Sequence, residues 1–472
     1  MPAGRECRRW AWLTALVASL ACGPRAGERP GTPPRHVLLI TAASLRADHL
    51  SCYLYPRPTS AWPSDEADRR AGRNLSVDDA AAQGVMFHAA FSPSNRTRAA
   101  AVALLSGQAQ AVERDSDALD GDLPTIAETF AGAGFETASF ISGVALTPML
   151  GAGGFERGFE HAQYRFGDAA VLTLALEWLT ARESSRRPLF VWIHLSGADP
   201  PHDPRALPPR PDGDRGAFDF GRYFEDPDYT GPMDGSLGAL ARVERGELEL
   251  EGQDRRRLID LYDGEVARLC SDVRTFLLSC SNLRSSPHGK QGGGDLLADS
   301  VLVFAGLHGI ELGEHGRSLG CSSSMFEGVL KIPLLFRHPG SLTGARVLAE
   351  PVGLEDVAPT LCDWFALEPP AAAARARAGR SLLPLMDSYV RRPFESRPYV
   401  SLCTTPDRAG SARTRDWSLQ WRRAQGTEES VSLFDRHQDP DELRDLAAER
   451  ADVVEGLLAH LRGELKRAGW GR

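Results

Sequence analysis

Residues 36–50 read HVLLITAASLRADHL, an apolar run followed by a turn. The run Val37–Ile40 predicts a strand of a parallel sheet, because such strands are covered on both faces and are apolar almost throughout. The turn after it contains Ala43 and Ser44, and neither residue offers a carboxylate. This stretch therefore predicts a parallel α/β fold. It also predicts that the turn after the strand offers no carboxylate to a ligand.

The pattern of residues 36–50 recurs along the chain. Short apolar runs alternate with segments whose apolar residues have helical spacing, which is typical of an α/β fold. We predict a doubly wound, mostly parallel sheet flanked by helices. Further strands are expected at 137–142, 188–195, 300–304 and 332–336, and helices at 124–133, 168–182 and 254–280.

The last part of the chain reads as a second, smaller unit. Segments RPYVSLCTT (397–405) and DWSLQWRR (416–423) predict sheet strands, and 447–468 predicts an amphipathic closing helix. A chain of 472 residues is long enough for two packed units. We therefore divide it into a signal peptide and linker (1–30), an α/β domain (34–390) and a C-terminal α+β subdomain with an antiparallel sheet (395–472).

Charge and the N-terminal residues limit the possible partners and location. The net charge is −9 without a long basic block, so no nucleic-acid partner is expected. Three arginines, the last being Arg9, precede an apolar run at 10–21 that resembles an export signal and is too short to span a bilayer comfortably. We expect a periplasmic or extracellular protein. Residues 19–22 resemble a lipoprotein cleavage site, so a lipid anchor at Cys22 is an alternative to a soluble mature form.

Six segments together resemble the sulfatase family of the alkaline-phosphatase-like superfamily, in its bacterial exported type. They occur in the family order, which makes the resemblance more specific than any one of them. The resemblance implies an alkaline-phosphatase-like fold and the hydrolysis of sulfuric esters. The segments are LPTIAETFAGAGFETASFISG (123–143), DYTGPMDGSLGALARVERGELEL (228–250), LIDLYDGEVARL (258–269), GLEDVAPTLCDWFAL (353–367), GRSLLPLM (379–386) and LFDRHQDPDELRDLAAE (433–449).

The resemblance also implies a site for calcium or another divalent cation. Family aspartates would fall at Ala43, at Ser44 and at Leu307, just before His308. Alanine and leucine cannot coordinate a cation, and a serine hydroxyl is a weak neutral ligand. Since hard cations are held mainly by carboxylate oxygens, we expect no bound cofactor and assign no metal ligand.

The nucleophile position of the family falls at Thr97, counted back from the Leu-Leu-Ser-Gly run at 104–107. Sulfatases use a cysteine or serine there that matures to formylglycine, for which threonine is not the usual substrate. A threonine hydroxyl needs a metal or a base to become a nucleophile. The basic residue that usually follows is replaced within Ala99–Ala101. Arg98 lies close by and is either a substrate-binding residue or an ordinary surface arginine.

Two further positions of the family site are altered. HLSGADPPHDP (194–204) resembles the HxxDPHxP segment of the family and places His202 at a sulfate-contacting position, with Pro201 as an apparent insertion that could displace the imidazole. His202 is either a catalytic residue or a loop histidine without chemistry. In GCSSSMFEGVLKIPLLF (320–336), Cys321 and Ser323 occupy positions where the family carries a histidine or lysine.

The four residues His308, Glu311, Glu314 and His315 offer a further alternative, because they lie within eight residues and carry ligand atoms suited to zinc. The family, however, has the same Glu-x-Gly-Glu-His-Gly frame as scaffolding. We therefore favour scaffolding over a zinc site.

The substitutions concentrate where the chemistry would be, while the scaffold segments persist. The leading hypothesis is a catalytically degenerate sulfatase-like protein that acts by binding or assembly, with a sulfated or phosphorylated glycan or a small ester as its candidate partner. The alternative is an active sulfuric, phosphoric or phosphonic ester hydrolase that uses Thr97 and a rebuilt site.

Overall fold

A computed structural model of the protein describes most of the chain from residue 33 to residue 467. The predicted signal peptide at 1–30 lies outside the described residues. Among the residues that are described, no helix combines the length and the apolar character needed to cross a bilayer. The described ranges are 33–61, 75–109, 119, 123–147, 153–183, 185–202, 220–285, 295–316, 318–321, 324–342, 344–370, 378–387, 390, 392–403, 408–423 and 428–467.

An eight-stranded, mostly parallel sheet forms the centre of the molecule. Its order across the sheet is β11-β2-β10-β7-β1-β6-β4-β5, and β10 runs antiparallel to both of its neighbours. The strands of this sheet are β1 (His36–Ala42), β2 (Val85–Phe87), β4 (Glu136–Ser142), β5 (His161–Arg165), β6 (Leu189–Leu195), β7 (Ser300–Gly306), β10 (Leu334–Arg337) and β11 (Arg346–Leu348). Two short ribbons pair β3 (Ala90–Phe91) with β12 (Val352–Gly353), and β8 (Glu311–Leu312) with β9 (Leu319–Gly320).

Helices cover both faces of this sheet, as the sequence predicts. The three predicted helices are confirmed, with ends that differ by at most two residues from the expected ones. The helices described before the C-terminal unit are α1 (Val77–Ala82), α2 (Thr97–Ser106), α3 (Ile126–Gly132), α4 (Asp168–Thr180), α5 (Phe220–Tyr223), α6 (Leu237–Glu244), α7 (Gly252–Cys280), α8 (Glu327–Leu330), α9 (Val357–Trp364) and α10 (Leu383–Met386).

Strand β1 shows why the apolar run of the sequence becomes a central strand. All seven of its residues are buried, and it pairs in parallel with β6 on one side and β7 on the other. Because side chains alternate along a strand, Leu38 and Ile40 enter the core on one face while Val37 and Leu39 enter the core on the other. A strand between two cores has no polar face, which explains the continuous apolar sequence.

The C-terminal unit is a four-stranded antiparallel sheet with one helix against it. Its strands pair in sequence order and are β13 (Tyr399–Cys403), β14 (Arg408–Arg413), β15 (Trp417–Arg423) and β16 (Ser430–Asp435). Helix α11 (Ala451–Arg467) buries Leu457, Leu461 and Leu465 against this sheet. The predicted fold class is therefore confirmed, whereas the exact domain boundaries at 34–390 and 395–472 stay a prediction.

The parallel strands bring distant parts of the chain to one edge of the sheet. Strands β1, β6 and β7 end side by side, since Ala42 pairs with Leu195 and with Gly306. The segments that follow these three strands are therefore neighbours, although they lie far apart in sequence. Ligand sites in open α/β sheets form at this carboxyl edge.

Candidate functional site

The turn after β1 is packed and hydrogen-bonded within the protein. Ala43 and Leu307 are fully buried, and their backbone N–H groups donate to Leu195 (2.9 Å) and Ala42 (2.8 Å), respectively. Ser44 has a φ of +51°, a left-handed conformation that is uncommon outside glycine, asparagine and aspartate. Two of the three positions expected for metal ligands, Ala43 and Leu307, are thus buried apolar residues at the ends of the strands.

Asp199 is the carboxylate that faces this turn. The hydroxyl of Ser44 donates to its Oδ1 over 2.5 Å. Burial raises the pKa of Asp199 above its usual value, while the nearby His308 and the hydrogen bond from Ser44 act in the opposite direction. Asp199 therefore lies between the turn after β1 and the imidazole that follows β7.

Thr97 and His308 form a hydrogen-bonded pair across 211 residues of sequence. The distance from Thr97 Oγ1 to His308 Nε2 is 2.9 Å, and His308 Nδ1 lies 2.8 Å from the carbonyl of Gly309. Nδ1 must donate to that carbonyl, so in the neutral ring Nε2 accepts the Thr97 proton. Burial lowers the pKa of His308, although Asp199 opposes the shift. The pair thus has the arrangement of a hydroxyl and its base.

Thr97 owes its position to the start of α2. It is the first residue of this helix, and no side chain caps the helix at Arg96. The first N–H groups of a helix have no partner within the helix, and Thr97 belongs to this first turn. The remaining residues of α2 from Ala100 onward are buried, which fixes the helix against the sheet.

A second histidine lies at the end of β6. His194 Nδ1 is 3.0 Å from Thr41 Oγ1, which in turn accepts a hydrogen bond from Trp192 Nε1 over 3.0 Å. Burial lowers the pKa of His194 to about 3, and His308 adds to the shift. His194 is therefore a neutral, buried ring near the Thr97–His308 pair.

His202 is held away from solvent by groups of α7. Its Nδ1 lies 2.7 Å from Glu265 Oε2, and its ring packs edge-on against Tyr262 at a centroid distance of 5.5 Å. Burial lowers the pKa of His202 to about 4, so the neutral imidazole donates Nδ1–H to the carboxylate. The residue that the sequence placed at a sulfate-contacting position is thus buried beside α7.

The basic side chains nearby are engaged by the protein itself. Arg98 is half-buried and donates from Nε to the carbonyl of Ala145 over 2.8 Å. Arg46 pairs with Asp48 (2.7 Å) and with Glu314 (2.6 Å). Such pairs neutralise positive charge that would otherwise be available to an anionic ligand.

Another basic group lies in the segment that carries Cys321. The ammonium of Lys331 lies 3.2 Å from Glu327, which also receives Arg436. Cys321 packs against an apolar cluster that includes Met325. Ser323 lies outside the described residues.

The four residues of the zinc alternative do not converge on one point. His315 lies between Glu311 (2.9 Å) and the carbonyl of Asp441 (2.9 Å), Glu314 pairs with Arg46, and His308 binds Thr97. Within the described residues, no three His, Cys, Asp or Glu side chains converge so as to hold a metal ion.

A hard divalent cation does not fit the side chains at the turn. Asp199 and the neutral hydroxyl of Ser44 are the oxygen groups there, and they are hydrogen-bonded to each other. Calcium takes six to eight oxygen ligands, typically with several carboxylates among them. The donor set that these positions offer is too small and carries too little charge.

Two residues of this site, Asp199 and His194, were not predicted from the sequence. Both lie in the segment HLSGADPPHDP, in which the sequence predicts a candidate role for His202. A carboxylate directly after a predicted buried strand was a usable signal for Asp199. The contacts of His194 gave no such signal, because they depend on the pairing of β6 with β1.

Comparisons with known proteins agree with this architecture. The profile of the family described as "Sulfatase" matches residues 35–267. Steryl-sulfatase of Mus musculus is 34% identical over 108 residues, which are 21% of this chain and 17% of that protein. Arylsulfatase K of Danio rerio is 30% identical over 167 residues, which are 34% of this chain and 30% of that protein. The chain therefore spans less than a third of the length of these curated relatives.

Solved structures resemble the protein over nearly its whole length. A structure titled as a 2-O GAG sulfatase superposes with a TM-score of 0.66 at 18% identity, covering 94% of this chain and 93% of that chain. The phosphonate monoester hydrolase of Agrobacterium radiobacter gives a TM-score of 0.66 at 17% identity, covering 93% and 96%. At these identities the likeness concerns the fold.

Proposed function

The chain belongs to the sulfatase family, and we propose that it is a catalytically degenerate member that acts by binding or assembly. One observation carries this proposal. The positions expected to hold the cation are Ala43, Ser44 and Leu307, of which two are apolar and the third gives its hydroxyl to Asp199. Without a cation, neither the ester oxygens nor the attacking hydroxyl would be polarised in the way that the family chemistry requires.

The basic groups near the site support the same proposal. Ester hydrolysis at sulfur or phosphorus needs positive charge that is aimed at the oxygens of the substrate. Here Arg46 and Lys331 pair with carboxylates, and His202 is neutral and buried. A sulfate or phosphate group would therefore find little compensation for its charge.

The first experiment measures metal content and turnover together. We expect the purified protein to contain far less than one divalent metal ion per chain and to be inactive on aryl sulfate, phosphate and phosphonate esters. The triple variant Ala43→Asp, Ser44→Asp, Leu307→Asp should bind calcium, because it restores three anionic oxygen donors at one edge of the sheet. Metal analysis and the calcium-dependent shift of the melting temperature give the readouts.

The matched control is the triple asparagine variant at the same positions. Asparagine has nearly the size of aspartate but no charge, so it should bind little calcium. Stoichiometric metal in the unmodified protein, with ester turnover that Thr97→Ala abolishes, would contradict the proposal. Absence of calcium binding by the aspartate variant would show that these positions do not correspond to the cation ligands of the family.

A second candidate function is favoured by the contact between Thr97 and His308. In a metal-independent ester hydrolase, His308 Nε2 would take the proton of Thr97 as Oγ1 bonds to sulfur or phosphorus and the bond to the alcohol oxygen breaks, and it would pass that proton to the departing alkoxide. Water, with His308 as its base, would then cleave the Thr97 ester, releasing sulfate, phosphate or phosphonate and restoring the Thr97 hydroxyl. The N–H groups in the first turn of α2 would face the developing negative charge.

Turnover by substituted proteins distinguishes this candidate from the first. A true nucleophile predicts a loss of about a hundredfold or more in kcat for Thr97→Ala and for His308→Gln, as expected when a nucleophile or its base is removed. Thr97→Ser should retain most of the activity, because it keeps the hydroxyl. Equal turnover by all of these proteins would exclude the Thr97 mechanism.

A further inference from the structure

A cavity of about 270 Å³ lies beside the site, between the ends of β4 and β5, the start of α4 and one face of α7. It shares Asp199 with the turn after β1, so it adjoins the Thr97–His308 pair without containing either residue. The volume is close to the lower end of the range for small-molecule pockets.

The lining of this cavity is apolar with acidic groups. Among the described residues, four carboxylates line it together with one guanidinium, that of Arg268. The carboxylates belong to Asp168, Asp199, Glu265 and Asp272. Even with Glu265 engaged by His202, this lining presents more negative than positive charge to a ligand.

Asp168 is fixed at the floor of the cavity by backbone geometry. Its Oδ1 accepts the N–H of Ser196 over 2.9 Å. Its other oxygen lies against Gly197, where an added Cβ would come within 2.3 Å of Oδ2. The carboxylate can occupy this place because residue 197 has no side chain. Burial is the main cause that raises the pKa of Asp168 to about 6, and the charges of Asp272 and Asp199 contribute to this rise, which is consistent with negative groups that face one another.

An aromatic side chain, that of Phe166, also lines the cavity. Phe166 is 65% exposed, a high value for a phenylalanine, while Leu269 adds aliphatic surface from α7. A single exposed apolar side chain is ordinary. An exposed aromatic ring beside buried carboxylates, in a cavity, has the chemistry that recognises organic ammonium groups.

We propose that this cavity binds a small organic cation, in which an ammonium group contacts Asp168 and Asp199 and an apolar body packs against Phe166 and Leu269. This inference names the ligand class for the binding role proposed above and rests on that role. It reverses the charge preference of an ester-hydrolysing site, because the bound group is cationic and the polar groups that receive it are carboxylates.

Calorimetric titration of the full chain tests this assignment with three probes. The first is 2-phenylethylamine, the second is the uncharged isostere 2-phenylethanol, and the third is phenyl sulfate. We expect the amine to bind at least about tenfold more tightly than the alcohol, since a charged hydrogen bond to a carboxylate exceeds a neutral one. Phenyl sulfate should not bind in the cavity.

Substitutions locate the binding. Asp168→Asn keeps an acceptor for the Ser196 N–H and should weaken amine binding about tenfold. Phe166→Ala removes an exposed side chain, so it should fold normally and also weaken binding. The matched control is Glu177→Gln on the exposed face of the same helix, which should leave the affinity unchanged.

Two results would overturn the assignment. One is equal affinity for the amine and the alcohol, and the other is amine binding that neither Asp168→Asn nor Phe166→Ala reduces. The result of the amine titration can be distinguished from the result of the experiment on metal content and ester turnover. Metal-dependent ester turnover would overturn the degenerate role while amine binding still stood, whereas an inert protein without amine binding would overturn only the cavity assignment.

Discussion

At the scale of the residue, Ser44 has a strained backbone conformation and also makes a hydrogen bond with its side chain. Its left-handed φ of +51° has an energetic cost for serine, and its hydroxyl donates to the half-buried Asp199 over 2.5 Å. A hydrogen bond to a charged or partly charged buried group contributes more than an ordinary one. The hydroxyl therefore stabilises the turn after β1.

Ser44→Ala should lower the free energy of unfolding by about 1–3 kcal/mol, because the half-buried Asp199 loses the hydroxyl that donates to it. Urea unfolding followed by circular dichroism measures the change. Thr180→Ala is the control, since that hydroxyl bonds to a backbone carbonyl on an exposed part of α4 and its removal should cost less than about 0.5 kcal/mol. Equal effects of the two substitutions would show that the Ser44–Asp199 contact has no special weight.

At the scale of the element, two electrostatic effects at the start of α4 act in opposite directions on the pKa of Asp168. Asp168 is the first residue of this helix, where the helix dipole favours an ionised carboxylate by about 0.3–1 kcal/mol. Burial has the larger effect and raises the pKa of Asp168 to about 6. The native protein therefore holds a proton on Asp168 at a pH where the unfolded chain has already lost it.

The pH dependence of stability follows from this difference. Because the folded pKa is the higher one, the native state binds more protons between about pH 4 and pH 6, and its stability falls as the pH rises through that window. Asp168→Asn should remove this part of the pH dependence and should be more stable than the unmodified protein at pH 7. Urea unfolding at a series of pH values tests this, with Glu177→Gln as the control that should keep the original profile. A variant that is less stable at pH 7 would contradict the expectation.

At the scale of the whole molecule, ion pairs hold the C-terminal sheet against the large sheet. Arg436, just after β16, donates to both carboxylate oxygens of Glu327 on α8, over 2.8 Å and 2.9 Å. Glu442 accepts the N–H of Glu327 over 2.7 Å. Burial opposes the charge of Glu327, but Arg436 and Lys331 outweigh it and lower the pKa of Glu327 to about 2.

Arg436→Ala should destabilise the protein by about 3–5 kcal/mol, because it leaves a buried carboxylate without its main partner. Arg444→Ala is the matched control, since Arg444 pairs with Glu449 in solvent and such pairs contribute about 0–1 kcal/mol. Thermal and urea unfolding give the two values. A loss below about 1 kcal/mol for Arg436→Ala would mean that the pair of Arg436 with Glu327 contributes no more than an exposed ion pair does.

The Glu327 pair also predicts acid sensitivity of the same interface. Since the folded pKa of Glu327 is lowered, its stabilisation is present above about pH 4.5 and is lost as the pH falls towards about 2. Glu327→Gln should flatten the dependence of the free energy of unfolding on pH in this window. Unfolding curves recorded between pH 2 and pH 5 would check the change, and an unaltered slope would contradict it.

The class of fold, and the kinds of side chain at the three positions expected for cation ligands, can be read from the amino-acid sequence alone. Strands such as β1 are recognisable because burial on both faces requires a continuous apolar run, which is a local property. The absence of carboxylates at Ala43, Ser44 and Leu307 is likewise readable from the chain once the family resemblance gives the positions.

Which side chains contact one another depends on how the chain folds. The Thr97–His308 contact joins residues 211 positions apart, and the Ser44–Asp199 contact joins residues 155 positions apart. The capture of His202 by Glu265 and the acidic cavity beside Asp168 arise in the same way. Periodicity and composition specify each element from neighbouring residues, whereas these contacts depend on the order of β1, β6 and β7 in the sheet and on the packing of helices across it.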